Sequence, residues 1–171
     1  MKKILFLLVL LAASFSGAKA QKFALVDMEY IMSNIPAYER ANEQLNQTSK
    51  AWQAEVEALN NAAQTLYKNY QNESMFLSDA QKKEREQAIV NKEKEAADLK
   101  KKYFGSEGEL YKKRQSLVEP IQDEIYNAVK TIAQAKGFQL ILDRASDNGI
   151  IFASPSIDIS NEVLSRLGYS K

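Results

Sequence analysis

The chain has 171 residues, of which 26% are charged and 9% aromatic, and its 23 basic and 22 acidic residues give a formal net charge of +1. This length accommodates one domain, or one small body with an extension, and the near-neutral charge disfavours a general nucleic-acid binder. Because the sequence contains neither cysteine nor histidine, it excludes disulfide frameworks, His-ligated zinc, and catalysis by a cysteine nucleophile or a histidine base.

Residues 1–20 have the pattern of a secretory signal peptide. Two lysines precede an apolar run over residues 4–13, and an A-x-A cleavage site ends at Ala20. The alternative is a transmembrane anchor, which needs an apolar run of roughly 20 residues. We therefore predict cleavage after Ala20, export, and a mature chain that starts near Gln21 without a membrane span. Without the three lysines of this segment, 20 basic and 22 acidic residues remain, a net charge of −2.

The mature chain opens with a predicted strand over residues 23–27, which is apolar and bounded by polar residues. Asp27 is placed to cap a brief helix over residues 28–32. Pro36 interrupts that helix, because the residue before a proline is disfavoured in the helical region. The same proline suits the start of a following helix.

Residues 37–136 carry an apolar repeat of seven, which predicts an antiparallel coiled-coil hairpin with its tip at about residues 73–79. The outgoing helix has two apolar rows: Tyr38, Leu45, Trp52, Leu59 and Leu66, and Val56, Ala63 and Tyr70. The returning helix continues the repeat with Ile89, Ala96, Tyr103, Leu110 and Leu117. Ser78 and Gln81 match a capping box that begins the returning helix, and Gly105 and Gly108 predict a bend within it.

The tip contains three consecutive apolar residues, Met75, Phe76 and Leu77. They close the end of the hairpin in one interpretation and form an adaptable contact site in the other. Basic clusters at residues 100–102 and 112–114 are either solvated helix faces or a polybasic surface, and the acidic residues between them favour solvated faces.

After the hairpin, Gly137 is predicted to end the helix, and residues 138–143 to form a second strand. A turn at residues 146–149 and a third strand over 150–153 predict a β-hairpin, and Ser160 is predicted to cap a last helix. We thus expect an α+β, mostly helical fold, with a body from residues 21–36 and 137–171. Three short strands make a small core with open edges, which predicts an oligomer.

Several segments of the mature chain resemble the OmpH/Skp family of periplasmic chaperones. These are residues 23–28 ahead of a long helix, residues 137–143, and residues 154–160 with the helix that follows. The resemblance covers essentially the whole mature chain. It implies a homotrimer with a β-containing trimerisation body and three helical arms around a cavity, located in the periplasm.

The resemblance also implies that the protein holds unfolded outer-membrane proteins without ATP and prevents their aggregation. Eight adaptable side chains are candidate client contacts, with packing inside the hairpin as the alternative for each. They are Trp52, Tyr67, Tyr70, Met75, Phe76, Leu77, Tyr103 and Phe104. Well-known enteric members are strongly basic, whereas this mature chain is near −2, which leaves contact with a membrane surface open.

Two other function classes compete with the holdase. One is an exported coiled-coil adaptor or spacer of the cell envelope without chaperone activity. The other is an enzyme that uses carboxylates near strand ends, for which Asp27, Asp143 and Asp158 are the candidates, although capping or turn roles explain all three. We expect no catalytic, cofactor or metal site, and no specific nucleic-acid partner.

Overall fold

A computed structural model describes residues 21–146 and 149–169. The predicted signal peptide therefore lies outside the described residues. The described chain contains these elements in order: β1 (Phe23–Val26), α1 (Met28–Ser33), α2 (Pro36–Glu73), a 3-10 turn (Ser74–Phe76), α3 (Asp79–Phe104), α4 (Glu109–Lys136), β2 (Leu140–Asp143), a 3-10 turn (Pro155–Ile157) and α5 (Ser160–Arg166). The prediction of an α+β, mostly helical fold with a small sheet is confirmed.

The chain divides into two compact units. The described part of the first, the sheet unit, comprises residues 21–31 and 125–169. The second, the hairpin unit, comprises Met32–Glu124.

In the sheet unit, β1 and β2 form a two-stranded parallel sheet, with Phe23 opposite Leu140 and Val26 opposite Asp143. Three of the four β1 residues are buried, as expected for an apolar strand without alternation. On its other side, β1 makes a single bridge to Asp158, where Ile159 N donates a hydrogen bond to Leu25 O (2.9 Å). Both sides of β1 are therefore engaged by residues of the C-terminal part of the chain.

The predicted third strand and β-hairpin are wrong. Residues 150–153 have no regular structure, and β2 pairs in parallel with β1 rather than with a strand that follows it. Positions 147 and 148 of the predicted turn lie outside the described residues. The error has a physical cause, since a short apolar run does not specify its strand partner.

Helix α4 and helix α5 supply much of the core of the sheet unit. On α4, Ile125, Ala128 and Ile132 are buried at spacings of three and four residues, the period of one helix face. Val163 and Leu164 of α5 are also buried. Each fully buried side chain of this size contributes about 1.5–3 kcal/mol relative to exposure.

The hairpin unit contains α2 and α3, which pack along each other. Val56 and Ala63 of α2 are buried, and so are Ile89 and Ala96 of α3. The prediction placed the outgoing helix at about residues 37–72, and α2 (Pro36–Glu73) confirms these boundaries within one residue at each end. The capping box of α3 is also present, because Gln81 N donates to Ser78 Oγ (3.4 Å) and Ser78 N donates to Gln81 Oε1 (2.9 Å).

The glycines at positions 105 and 108 interrupt the returning helix more strongly than a bend. Helix α3 ends at Phe104 and α4 starts at Glu109. Gly108 N donates a hydrogen bond to Gly105 O (2.9 Å), and a Cβ at Gly108 would lie 2.8 Å from Tyr103 O. The turn therefore requires glycine at this position because the backbone approaches too closely for a side chain.

Candidate functional site

The structure separates the eight candidate contacts into two groups within the hairpin unit. Five residues lie in the helices and three at the tip. The helical group comprises Trp52, Tyr67, Tyr70, Tyr103 and Phe104, and the tip group Met75, Phe76 and Leu77.

A cross-helix aromatic pair joins the middle of the hairpin. The rings of Trp52 in α2 and Tyr103 in α3 stack with centroids 4.5 Å apart and 5° between their planes. The rings of Tyr103 and Phe104 form an edge-to-face contact, with centroids 6.3 Å apart and 83° between their planes. Offset or edge-to-face contacts of this kind contribute about 0.5–1.5 kcal/mol beyond burial. The three rings therefore have contacts inside the hairpin.

Tyrosine hydroxyls add polar links between the two helices. Tyr103 Oη donates to Glu55 Oε2 (2.6 Å), and Tyr70 Oη donates to Glu86 Oε1. Each carboxylate accepts from the neutral phenol and disfavours the phenolate, so the pKa of both tyrosines is raised. As residue numbers rise along α2, the numbers of the partners on α3 fall, which shows that the helices are antiparallel.

Tyr67 is the most exposed ring of the helical group, at 49%. Its hydroxyl accepts a hydrogen bond from Gln71 Nε2 (3.0 Å), one turn further along the same helix. Tyr67 is thus partnered within α2 and presents about half of its surface to solvent.

The tip presents two large apolar side chains to solvent. Met75 is 87% exposed and Phe76 84% exposed, whereas Leu77 is half-buried. Local hydrogen bonds hold this turn, since Ser74 Oγ donates to Gln71 O (3.1 Å) and the capping box begins at Ser78. We call Met75 and Phe76 the tip pair. An exposed apolar pair on a structured turn is available for contact with another molecule.

A groove that the sequence pattern does not indicate lies elsewhere in the hairpin unit. Its volume is about 290 Å³, and its lining includes Met32, Tyr38, Tyr111, Arg114 and Val118. Tyr111 is 53% exposed. Tyr38 belongs to the predicted apolar row of the outgoing helix, and Tyr111 lies outside the apolar repeat of the returning helix, so the sequence contains no signal of the groove.

The sheet unit also exposes apolar side chains. Phe23 and Leu140 are exposed on the paired strands, and Ile151 and Phe152 are almost fully exposed in the segment after β2. Within the part of the chain that the structure describes, β2 pairs only with β1, so its other edge is open. Open edges and exposed apolar residues are typical of surfaces that associate with another chain.

The three candidate catalytic carboxylates take part in structural hydrogen bonds at the ends of the strands. Asp27 Oδ1 accepts from Tyr30 N (2.8 Å) and so caps α1, as predicted. Asp143 Oδ1 accepts from Met28 N (3.1 Å) and Ala145 N (3.0 Å). Asp158 Oδ1 accepts from Ser160 Oγ (2.6 Å). The capping and turn interpretation therefore accounts for all three.

Arg144 connects two of these carboxylates. It lies 3.0 Å from Asp27 and 3.3 Å from Asp158 and lines a polar cavity of about 300 Å³ with both. The Tyr30 N–H and, to a smaller extent, the Arg144 guanidinium hold the pKa of Asp27 below its usual value. Within residues 21–146 and 149–169, no group of three or more acidic side chains could hold a metal ion.

Ser160 has a different role from the predicted cap. The N-cap of α5 is Ile159, which makes no side-chain cap hydrogen bond. Ser160 is buried, its hydroxyl accepts from Asp27 N (2.8 Å), and it donates to Asp158. Its side chain therefore links the end of β1 to the start of α5.

A model of one protein family matches this chain over residues 22–167, and its description is outer membrane protein, OmpH-like. The chain belongs to this family. The match covers both units of the OmpH-like chain, and the resemblance found in its strand and turn motifs is confirmed.

Two relatives of this OmpH-like protein are each named chaperone protein Skp. The protein from Yersinia enterocolitica is 29% identical over 161 residues, which is 92% of each chain. The protein from Pectobacterium atrosepticum is 26% identical over 163 residues, which is 93% of each chain. Each alignment therefore covers nearly the entire length of this chain and of the relative.

The fold has a match among solved structures. The crystal structure of an OmpH-like protein from Caulobacter crescentus superposes with a TM-score of 0.68 at 14% identity, covering 88% of this chain and 86% of the other. The OmpH-like fold is therefore shared despite low sequence identity. In the described ranges, none of the helices combines the length and apolar character needed to cross a membrane.

Proposed function

We propose that this OmpH-like protein is an ATP-independent holdase chaperone of the periplasm, which binds unfolded outer-membrane proteins and prevents their aggregation. The observation that carries the proposal is the full-length alignment with two proteins named chaperones, at 92% and 93% coverage. The exposed tip pair and the half-exposed Tyr67 supply apolar surface for such an activity.

The proposed mechanism uses many weak contacts. An unfolded barrel protein exposes alternating apolar side chains that aggregate in water. Methionine and aromatic side chains adapt to many sequences, and several arms acting together raise the effective affinity. Because each contact is weak, exchange is fast and release needs no nucleotide. The eight candidate contacts remain predictions in this scheme, with Met75, Phe76 and Tyr67 the most accessible of them.

We further propose a homotrimer formed through a body of residues 21–36 and 137–171, with residues 37–136 as the arm of each subunit. The open edge of β2 and the exposed Leu140, Ile151 and Phe152 support association at the sheet. The cavity that holds the client would lie between the three arms. Sedimentation equilibrium on the processed protein tests this stoichiometry, and a monomer at micromolar concentration would contradict it.

Export to the periplasm with cleavage after Ala20 is part of the same proposal. The two lysines, the apolar run and the A-x-A site support it. N-terminal sequencing of the protein recovered from the periplasm should begin at Gln21. A protein that keeps residues 1–20 would refute the cleavage.

Light scattering tests the holdase activity. An unfolded barrel protein is diluted from urea into buffer with and without the processed OmpH-like protein. Suppression of aggregation near one trimer per client is expected. Unchanged aggregation together with tight binding to one folded envelope protein would instead favour the adaptor or spacer.

A further inference from the structure

Met75 differs from the other methionines of the described residues in its exposure. Its residue is 87% exposed, whereas Met28 and Met32 are half-buried. The chain contains no cysteine, so no thiol competes for an oxidant. Among the methionines that the structure describes, the one most accessible to a dissolved oxidant is therefore part of the tip pair.

We propose that Met75 is a reversible oxidation site that weakens client binding at the tip when hydrogen peroxide reaches the protein. A lone pair of the Met75 sulfur attacks one peroxide oxygen, an S–O bond forms and the O–O bond breaks. The attacked oxygen passes its proton to the departing hydroxide, so the sulfur is oxidised to the sulfoxide and the peroxide is reduced to water. Methionine sulfoxide reductases reverse this modification.

The consequence follows from the chemistry of the tip. The sulfoxide is polar, so one of the two exposed apolar side chains loses its affinity for apolar client surface. Phe76, at 84% exposure, keeps its ring and part of the contact area. The fold does not depend on the thioether, since Met75 is exposed while Ser74 and the Ser78–Gln81 capping box hold the turn.

Mass spectrometry tests the selectivity of oxidation. The processed protein, which begins at Gln21, is treated with dilute hydrogen peroxide. After proteolysis, the fraction of each methionine-containing peptide that has gained one oxygen atom is followed with time. We expect Met75 to react several-fold faster than Met28 and Met32. Equal rates at the three positions, or a slower rate at Met75, would overturn the proposal.

A client assay tests the effect, which rests on the proposed function. After peroxide treatment, about tenfold more OmpH-like protein should be required to suppress aggregation. Treatment with sulfoxide reductase should return this concentration to its original value. Met75→Leu keeps an apolar side chain but has no sulfur, so peroxide should not change the concentration at which this variant suppresses aggregation, whatever that concentration is before treatment. Met75→Gln should behave like the oxidised protein without any treatment.

The outcomes separate the two proposals. If the untreated protein fails to suppress aggregation, the holdase function is wrong, while selective oxidation can still be scored by mass. If the untreated protein is active and oxidation of Met75 leaves that activity unchanged, the holdase function stands and the oxidation switch is refuted. Equal peroxide sensitivity of Met75→Leu and the unchanged protein would also refute it.

Discussion

The middle of the helical hairpin and its tip contain similar side chains in different surroundings. In the middle, Trp52 and Tyr103 stack on each other across the two helices, and the Tyr103 hydroxyl donates to Glu55. At the tip, Met75 and Phe76 are more than four-fifths exposed. The difference shows that apolar character does not by itself distinguish a structural residue from a contact site. What distinguishes them is whether the hairpin supplies a partner.

The largest expected loss of stability is at the aromatic pair. Trp52→Ala removes the half-buried indole and its stack on Tyr103, and should lower the free energy of unfolding by about 3 kcal/mol. Urea denaturation followed by circular dichroism measures this change. A loss below about 0.5 kcal/mol would mean that the pair is not a structural contact, and would weaken the contrast with the tip.

The hydrogen bonds of the buried Ser160 provide the next largest effect, in the sheet unit. Ser160→Ala removes the acceptor of Asp27 N and a donor to Asp158, and should cost about 2 kcal/mol because a part-buried N–H is left without its partner. The same denaturation experiment measures it. Ser165→Ala is the matched control on the exposed face of α5 and should change stability by less than about 0.5 kcal/mol.

Asp27 gives a smaller effect that depends on pH. Its pKa is lowered in the folded protein, so its contribution to stability is present above the unfolded value of 3.8 and is lost as the pH falls through the folded pKa. Asp27→Asn should cost about 1 kcal/mol at pH 7, because asparagine still caps α1 but does not pair with Arg144. The difference between the two proteins should disappear in acid. A constant difference from pH 7 to pH 3 would contradict the assignment.

Much of the hairpin could be predicted because its signals are local. A repeat of seven positions identifies the buried row that includes Val56 and Ala63, and Ser78 with Gln81 identifies the helix start. The pairing of the strands could not be predicted in the same way. The partner of β2 is β1, which is separated from it in sequence by residues 27–139. The short apolar run at 150–153 pairs with no strand in the described part of the chain, and its sequence does not indicate this.

The candidate contacts show a similar limit. The sequence shows aromatic residues at positions 52, 70 and 103. Whether a tyrosine hydroxyl lies within hydrogen-bonding distance of a carboxylate depends on the register of the two helices. Nothing in the sequence distinguishes Glu55 and Glu86 from the other acidic residues of these helices. Only the antiparallel packing brings them to the tyrosines. The sequence of residues 75–77 is compatible with two interpretations, a closed end of the hairpin and an exposed contact site, and it does not distinguish between them.

The phenol of Tyr103 offers a test of the register without a large change in stability. Glu55→Gln removes the carboxylate that raises the pKa of Tyr103, so the pKa of this tyrosine should fall toward its usual value. Titration of ring-labelled tyrosine by NMR measures the change, and Tyr103→Phe assigns the resonance. Tyr70 is the internal control, because its carboxylate partner is Glu86 and its titration should not move.

The smallest expected effect on stability is at the tip. A substitution there is the most direct test of the comparison between the tip and the middle of the hairpin. Phe76→Ser removes a ring that is 84% exposed, so the free energy of unfolding should change by less than about 0.5 kcal/mol. Under the proposed function, the same variant should require several-fold more protein to suppress aggregation of an unfolded barrel protein. Val90→Ser, which removes an apolar side chain that is 54% exposed on α3 and is not a candidate contact, is the matched control and should leave suppression nearly unchanged. If Phe76→Ser instead lowers the free energy of unfolding substantially, the ring packs at the end of the two helices. The tip would then be a structural contact, like the aromatic pair in the middle of the hairpin. If it changes neither property, client binding lies elsewhere on the chain, and the groove beside Tyr38 and Tyr111 is the next surface to test.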